Sequence, residues 1–572
     1  MRVARDIGDT ALLPSGYPVL ETRSPNPDPK MRSLAILALS AALTAQPPPP
    51  PPLPPVPVPA QNPITAPKAI LGKLLFWDEQ MSSNNRVACG TCHTFGAGGG
   101  DLRRVVNPGN DGVTPSPDDT FGSPGVIRSD AANAYLPDPR FALGAQVTPR
   151  ATPSFINAAW FPELFWDGRA PGDFDDPDTG VQLIPTGGAL ENQALAPVQN
   201  AVEMAHDVRS LAELTTKLAG VKPMALATNL PPDMAGAVAG GASYADLFQA
   251  AFGSPTITAQ RIAYALATYQ RTLVPNQAPY DLFAAGNPNA LTQQQRNGFN
   301  VFTGPGRCAL CHTPGLFSDR QFRNLGLRPI AQDNGRQAVT GNPQDGGKFK
   351  VPSLRNVGLR GSLMHTGQFT TVQQVFGFYL GGGGPNLQNK DPLLVPLMVP
   401  PQAANDLINF VTNALTDPRV AQGLPPFDRP TLRSQLLPPI GIQYGTGSPG
   451  SGGRVPQFLA EVPANLGNVD FKLGVGNALG AAPVTLVFDV LSGASVMAGV
   501  NVNVALSGHE ILLLGTLNGA PGVAGAGFGT FAVGVPDEPA LAGITLFGQW
   551  FVFDGGAPAV AASSRGAEVR LF

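Results

Sequence analysis

Two five-residue runs constrain this chain more than anything else in it. Cys89-Gly90-Thr91-Cys92-His93 and Cys308-Ala309-Leu310-Cys311-His312 both read C-x-x-C-H, the attachment signature of c-type haem. Cysteines at this spacing add across the vinyl groups of the macrocycle as thioethers, and the adjacent histidine faces the iron as proximal ligand. All four cysteines of the chain lie in these runs. Structural zinc pairs usually stand about 15–20 residues apart, far closer than these, and zinc gives no reason for a histidine after each pair. A thioredoxin-like motif needs neither the duplication nor the histidine. Disulfides between the paired cysteines are open to a protein in an oxidising compartment, but they too leave the histidines unexplained. Two covalent haems are therefore expected, in a chain built for electron transfer or for oxygen and peroxide chemistry.

The 572 residues leave room for several domains. A net charge of −3 with 13% charged residues excludes the basic stripe of a nucleic-acid binder. Glycine (67) and proline (61) are abundant, yet 43% of residues are hydrophobic, which describes a loop-rich protein with a real core. Residues 1–45 read as an upstream extension and a signal peptide. Met31-Arg32-Ser33 precedes the apolar run Leu34 to Ala45, which ends Leu43-Thr44-Ala45. That run is too short to span a bilayer, so translation is expected to start at Met31 and the product to be periplasmic or secreted. No integral membrane span is expected elsewhere. Residues 46–62 read as a proline-rich linker. Its run Pro47 to Pro59 favours an extended, stiff polyproline helix, as a stalk or as a plain spacer.

The fold class expected is mainly α: two cytochrome-c-like haem domains, at 63–275 and 276–430, followed by a small β-sandwich. Thr258 caps a segment in which Ile262, Leu266, Tyr269 and Leu273 share one face. Thr292 and Gln295 form a capping box for a helix that carries Phe299 and Phe302, breaks at Gly304-Pro305 and leads to the second haem motif. Leu407, Phe410, Val411, Ala414 and Leu415 make a last amphipathic helix. Residues 431–455 read as a Gly/Ser/Pro linker, with Gly445 to Gly453 at its centre. In 456–572, alternating runs at Val469 to Val475, Val500 to Leu506, Ile544 to Phe553 and Glu568 to Phe572 read as strands of an antiparallel sandwich. It shows no catalytic constellation, since His509-Glu510 reads as a strand end. Its expected role is surface attachment or partner binding.

Residues 66–420 resemble the bacterial di-haem cytochrome c peroxidases and the related MauG enzymes. The resemblance rests on Leu71-Gly72-Lys73-Leu74-Leu75-Phe76, Phe165-Trp166-Asp167-Gly168-Arg169, Gln193, Val202-Glu203-Met204, Val351-Pro352-Ser353-Leu354-Arg355-Asn356-Val357 and Met364-His365-Thr366-Gly367, in that order around the two haem motifs. It implies that His93 serves a peroxide-reacting haem. Glu203, ten residues after Gln193, would be its acid/base and Gln193 a distal-pocket amide. Trp166 would relay electrons between the haems. His312 would serve the electron-input haem, supplied by a small cytochrome c or a cupredoxin, with hydrogen peroxide as substrate.

The second ligand of that haem is a methionine in many peroxidases of the family, fourteen residues past the His-x-Gly histidine. Counting from His365 reaches Tyr379, as in MauG-like members; Met364 and Met398 are the competing ligands. Arg355 would meet a haem propionate or an interdomain network, and His365 would lie between the domains. None of the five histidines lies between His93 and Glu203, so the usual blocking ligand is missing and the peroxide-reacting haem is expected to be open. His206 reads as an exposed helix-start residue. Pro171 to Gly188 reads as an inserted surface loop. A family calcium site is doubtful, because its asparagine position reads Ala151 and its threonine-x-proline region reads Arg360-Gly361-Ser362; Arg360 is a candidate replacement for the ion's charge. The main alternatives to a peroxidase are a MauG-like oxidase acting on a partner protein and a non-enzymatic di-haem electron carrier.

Overall fold

A computed structural model describes residues 50–436 and 441–572. The upstream extension, the signal segment and the first residues of the proline run lie outside the described residues. Among the described residues no helix is long and apolar enough to cross a membrane.

The first helical layer is built on two crossing helices, Ala66–Trp77 and Ala259–Thr272. Thr258 caps the latter by accepting from the Arg261 N–H. Ile262, Leu266, Tyr269 and Leu273 are buried as the pattern predicts, and so are Ala263, Ala265 and Ala267. The helix is thus enclosed on every side, and its small residues let neighbours approach closely. Gly72 marks the crossing: a Cβ there would stand 1.9 Å from the Ala265 carbonyl oxygen. Trp77 donates its indole N–H to the Tyr269 hydroxyl at 3.0 Å, which satisfies a polar atom that burial would otherwise strand. Helix Ala189–Gln199 packs on the other side of Ala259–Thr272.

The second layer pairs Gln293–Thr303 with Pro401–Asn409 and its continuation Phe410–Ala414. The capping box at Thr292 and Gln295 is present, with both reciprocal hydrogen bonds. Tyr280, Phe302, Phe317 and Phe410 form the aromatic centre of this core. Each such side chain contributes ~1.5–3 kcal/mol on burial.

Three expectations change. Residues 50–59 are not a free spacer. Leu53 and Val56 pack beside Trp160 and Leu316, Trp160 donates to the Pro54 carbonyl at 3.0 Å, and Tyr280 donates to the Pro51 carbonyl at 3.1 Å. Proline lacks an N–H, but its carbonyl remains a good acceptor, so the run serves as a strap across both helical layers. The Pro171–Gly188 insertion is a short hairpin, Phe174–Asp175 against Gln182–Ile184. Its tip is exposed, but Phe174 and Ile184 are buried in the main core. The 431–455 linker is also largely structured. Ile442–Tyr444 pairs with Gly566–Arg570, and the Ser448 N–H bonds to the Ser563 carbonyl.

The C-terminal region is strand-rich, with every strand pair antiparallel. One sheet runs in the order Ile511–Thr516, Pro483–Asp489, Thr545–Phe553, Gly566–Arg570, Ile442–Tyr444, and Ala561–Ser563 also pairs with Thr545–Phe553. A second sheet holds Gln457–Leu459, Lys472–Leu479 and Ala524–Ala532. Leu473, Val475, Leu486, Trp550 and Val552 join the two into one core. Val469 is exposed and lies outside the strand that its alternation suggested, and His509-Glu510 lies in the loop just before the strand Ile511–Thr516. This region docks on the first helical half. Lys472 donates to Ser129 Oγ at 3.0 Å and to Asn133 Oδ1 at 2.8 Å. The Tyr135 N–H meets Thr530 Oγ1 at 2.9 Å, and Ile127, Tyr135 and Leu143 pack with Leu459.

Candidate functional site

Each C-x-x-C-H run lines its own cavity. The first cavity, about 580 Å³, is bordered by Cys89, Cys92 and His93 together with Gln193, Glu203 and Trp166. The second, about 210 Å³, is bordered by Cys308, Cys311 and His312 together with Tyr379, Met364 and His365. The four thiols form no disulfides. The two histidines are anchored alike: His93 Nδ1 lies 3.0 Å from the Gly99 carbonyl oxygen and His312 Nδ1 lies 3.1 Å from that of Phe317. A carbonyl can only accept, so Nδ1 carries the proton and the Nε2 lone pair is left for a metal. Two thiols, one oriented imidazole and an adjoining cavity fit a c-type haem at both places.

The Glu203 loop is fixed by its own backbone. The Asn200 carbonyl accepts from the N–H groups of Glu203, Met204 and Ala205, and Asn200 Oδ1 accepts from the Val202 N–H. Gly125 lies against this loop, where a Cβ would stand 2.0 Å from the Val202 carbonyl oxygen. Glu203 itself is half-buried at the cavity wall, and its desolvation there raises its pKa. The Arg169 guanidinium pulls in the opposite direction. Arg169 in turn is held by Asp167 at 3.0 Å and stacks over the Phe165 ring at 3.7 Å. Gln193 sits one turn into helix Ala189–Gln199. Two residues before it, Glu191 is completely buried and bridged by Arg271 at 2.6 and 2.9 Å.

Trp166 borders both cavities. Its indole N–H donates to the Ala151 carbonyl at 2.8 Å, and its own carbonyl accepts from the Lys350 N–H at 2.8 Å. His365 is buried beside it, stacked on Phe349 with ring centroids 3.6 Å apart. Its Nε2 has no hydrogen-bond partner among the described residues, and burial lowers its pKa to about 3.

Arg355 lies in the network between elements. Its guanidinium grips Asp281 at 2.7 and 2.9 Å and donates to the Gly315 carbonyl at 2.8 Å and that of Pro275 at 3.0 Å. These bonds occupy most of its donors and tie the loop after His312 to the Pro279–Ala284 helix. His206 is buried, contrary to the exposed position expected. Its Nε2 meets Glu213 at 2.9 Å and its Nδ1 the Asp207 carbonyl at 2.9 Å, and it does not border either cavity. Met398 is 89% exposed, unlike Tyr379 and Met364. In the region assigned to calcium by resemblance, the half-buried Arg360 guanidinium donates to the Thr152 carbonyl at 2.8 Å.

Sequence reasoning missed Lys350, which borders both cavities. Its only signal was a lone charge in the run Phe349-Lys350-Val351. It also missed the acidic partners of the lining arginines, such as Asp333 beside Arg150 at 2.6 Å.

Two cavities, each bordered by a C-x-x-C-H run with an anchored histidine, define a di-haem cytochrome. Residues 66–289 match the family of di-haem cytochrome c peroxidases. The chain is 30% identical over 320 residues to the methylamine utilization protein MauG of Methylophilus methylotrophus, covering 56% of this chain and 73% of that protein. It is 30% identical over 366 residues to MauG of Methylorubrum extorquens, covering 62% and 80%. It is 29% identical over 410 residues to the cytochrome-c peroxidase IdrP1 of a Pseudomonas species, covering 66% and 87%. The chain belongs to the di-haem cytochrome c peroxidase family, in which relatives carry both names.

Proposed function

We propose that this protein is an exported di-haem peroxidase. It would reduce hydrogen peroxide to two waters, taking two protons from the medium and two electrons from a small cytochrome c or cupredoxin. The observation that carries this reading is a half-buried carboxylate with a raised pKa, Glu203, bordering the same cavity as His93 and Gln193. When bound, the haem supplies an iron face for peroxide and the electrons that break the O–O bond. Glu203 moves the proton from the inner to the outer oxygen. Gln193 donates an amide N–H to orient the peroxide. Trp166, shared by both cavities, carries electrons from the His312 side to the His93 side. Arg360 supplies the positive charge in the region that the resemblance gives to calcium. Periplasmic or extracellular location is inferred from the signal segment. Steady oxidation of a reduced small cytochrome by hydrogen peroxide tests the reading, and no turnover with both haems bound would refute it.

The work assigned to Glu203 needs its ionised form at the start. Because burial raises its pKa, activity falls as pH drops through a value above the ordinary glutamate value of about 4.3. Arg169 holds that value down, so Arg169→Met is expected to move the acid limb of kcat/KM to higher pH. An unmoved limb would show that the limb belongs to another group.

A second reading, a MauG-like oxidase of a partner protein, is favoured by Tyr379. This residue, near the end of helix Val372–Leu380, borders the His312 cavity. A phenolate ligand is harder and more anionic than a thioether and stabilises the oxidised haem. Near-infrared magnetic circular dichroism is expected to lack the methionine–iron charge-transfer band. Finding that band would transfer the ligand role to Met364. Slow turnover with a long-lived oxidised state would favour the oxidase.

A further inference from the structure

Lys350 presents a buried charge with no countercharge. The residue is 9% exposed, and its Nζ donates to one acceptor, the Glu163 backbone carbonyl, at 3.0 Å. The Phe161 ring lies 4.5 Å away. The two carboxylates that act on it are already engaged. Glu163 bridges Arg336 at 2.7 Å, and Asp167 bridges Arg150 at 2.6 Å and Arg169 at 3.0 Å. Two other cations at the cavity walls contrast with it: Arg150 holds Asp333 as well, and Arg323 holds Asp319 and Asp391. Arg328 and Arg307 border one cavity each without an ion pair but are more exposed to solvent than Lys350. Among the described residues no carboxylate comes within ion-pair distance of Lys350. A lone ammonium group is costly to bury unless a countercharge offsets its lost hydration.

Lys350 also borders both cavities, and each haem brings two propionate carboxylates into its cavity. We propose that Lys350 Nζ is the fixed cation that receives a haem propionate at the wall shared by the two cavities. The charge pair is then completed by the cofactor rather than by the protein. Burial lowers the pKa of Lys350 to about 7 in the chain alone, against the pull of Asp167 and Glu163; a carboxylate in contact restores the charged form. The inference requires haem in the cavities. It is independent of whether the bound haems serve peroxide reduction or oxidation of a partner protein.

A cation near the iron favours the reduced state, because reduction adds negative charge. In the holoprotein, Lys350→Gln is therefore expected to lower the midpoint potential of at least one haem and to shift its propionate bending mode in resonance Raman spectra. Lys350→Arg is expected to restore both. Unchanged potentials and propionate modes in a Lys350→Gln protein carrying both haems would overturn the proposal. Should that variant not retain haem, the wild-type spectrum decides: propionate modes typical only of free, solvated carboxylates would also overturn it.

Discussion

Replacing Glu203 with glutamine is expected to lower peroxide turnover by ~10²–10⁴-fold, the usual contribution of a positioned acid/base, while both haems stay bound. The substitution keeps size and shape and removes only the capacity to take and return a proton. The loop should survive it, because its geometry is set by backbone bonds to Asn200 rather than by the carboxylate. Arg169 acts on Glu203 through its charge and already has Asp167 as its ion-pair partner, so a neutral amide leaves no new unpaired charge. Burial already disfavours the charged form, so the fold is expected to be as stable or slightly more so. Rapid-mixing measurement of cytochrome oxidation, with the Soret spectrum as a check on haem content, reads the outcome. Turnover within a few-fold of wild type would remove Glu203 from the mechanism.

The haem motifs, the order of the helices and the cavity residues were legible because each depends on local chemistry. C-x-x-C-H needs no tertiary context, Thr258 and Thr292 each cap the helix that begins at the next residue, and Gln193 and Glu203 stand in a recognisable order. The features that escaped depend on contacts distant in sequence. The proline strap looked like a free spacer because nothing in its composition shows that Trp160 and Tyr280 supply donors to its carbonyls. His206 looked exposed because Glu213, its partner, is seven residues on in the next helix. Lys350 resembles any strand lysine until both cavities are seen to meet at it.

The C-terminal strands were visible by alternation, but their docking was not. Lys472 is a charged residue in the run that predicts a core strand, and its ammonium is buried against Ser129 and Asn133 of the helical half. The segment it grips leads, through Gln146 and its bond to the Ala201 carbonyl at 2.7 Å, to the Glu203 loop. The sandwich thus packs against a segment that also bonds to the Glu203 loop, a contact that composition alone could not reveal.

Arg271→Met is expected to be the most destabilising single change in the first helical half, at about 3–5 kcal/mol, as for other buried pairs broken on one side. Arg271 and Glu191 have side chains 1% and 0% exposed. They join helix Ala259–Thr272 to the helix bearing Gln193. Removing the guanidinium strands a carboxylate that would keep only Asn62, at 2.8 Å, as a partner. Lys68, which donates to Asn62 Oδ1 at 2.8 Å, is one residue further away in the network and cannot replace the bidentate contact without moving its helix. The denaturant midpoint of the haem-bearing region, followed by the Soret band, measures the loss. The double variant Arg271→Met, Glu191→Met should recover much of it, because replacing both charges by apolar groups of similar size is often neutral. A loss below about 1 kcal/mol in the single variant, or an equal loss in the double, would mean that water reaches Glu191 and that this ion pair does not hold the Gln193 helix in place.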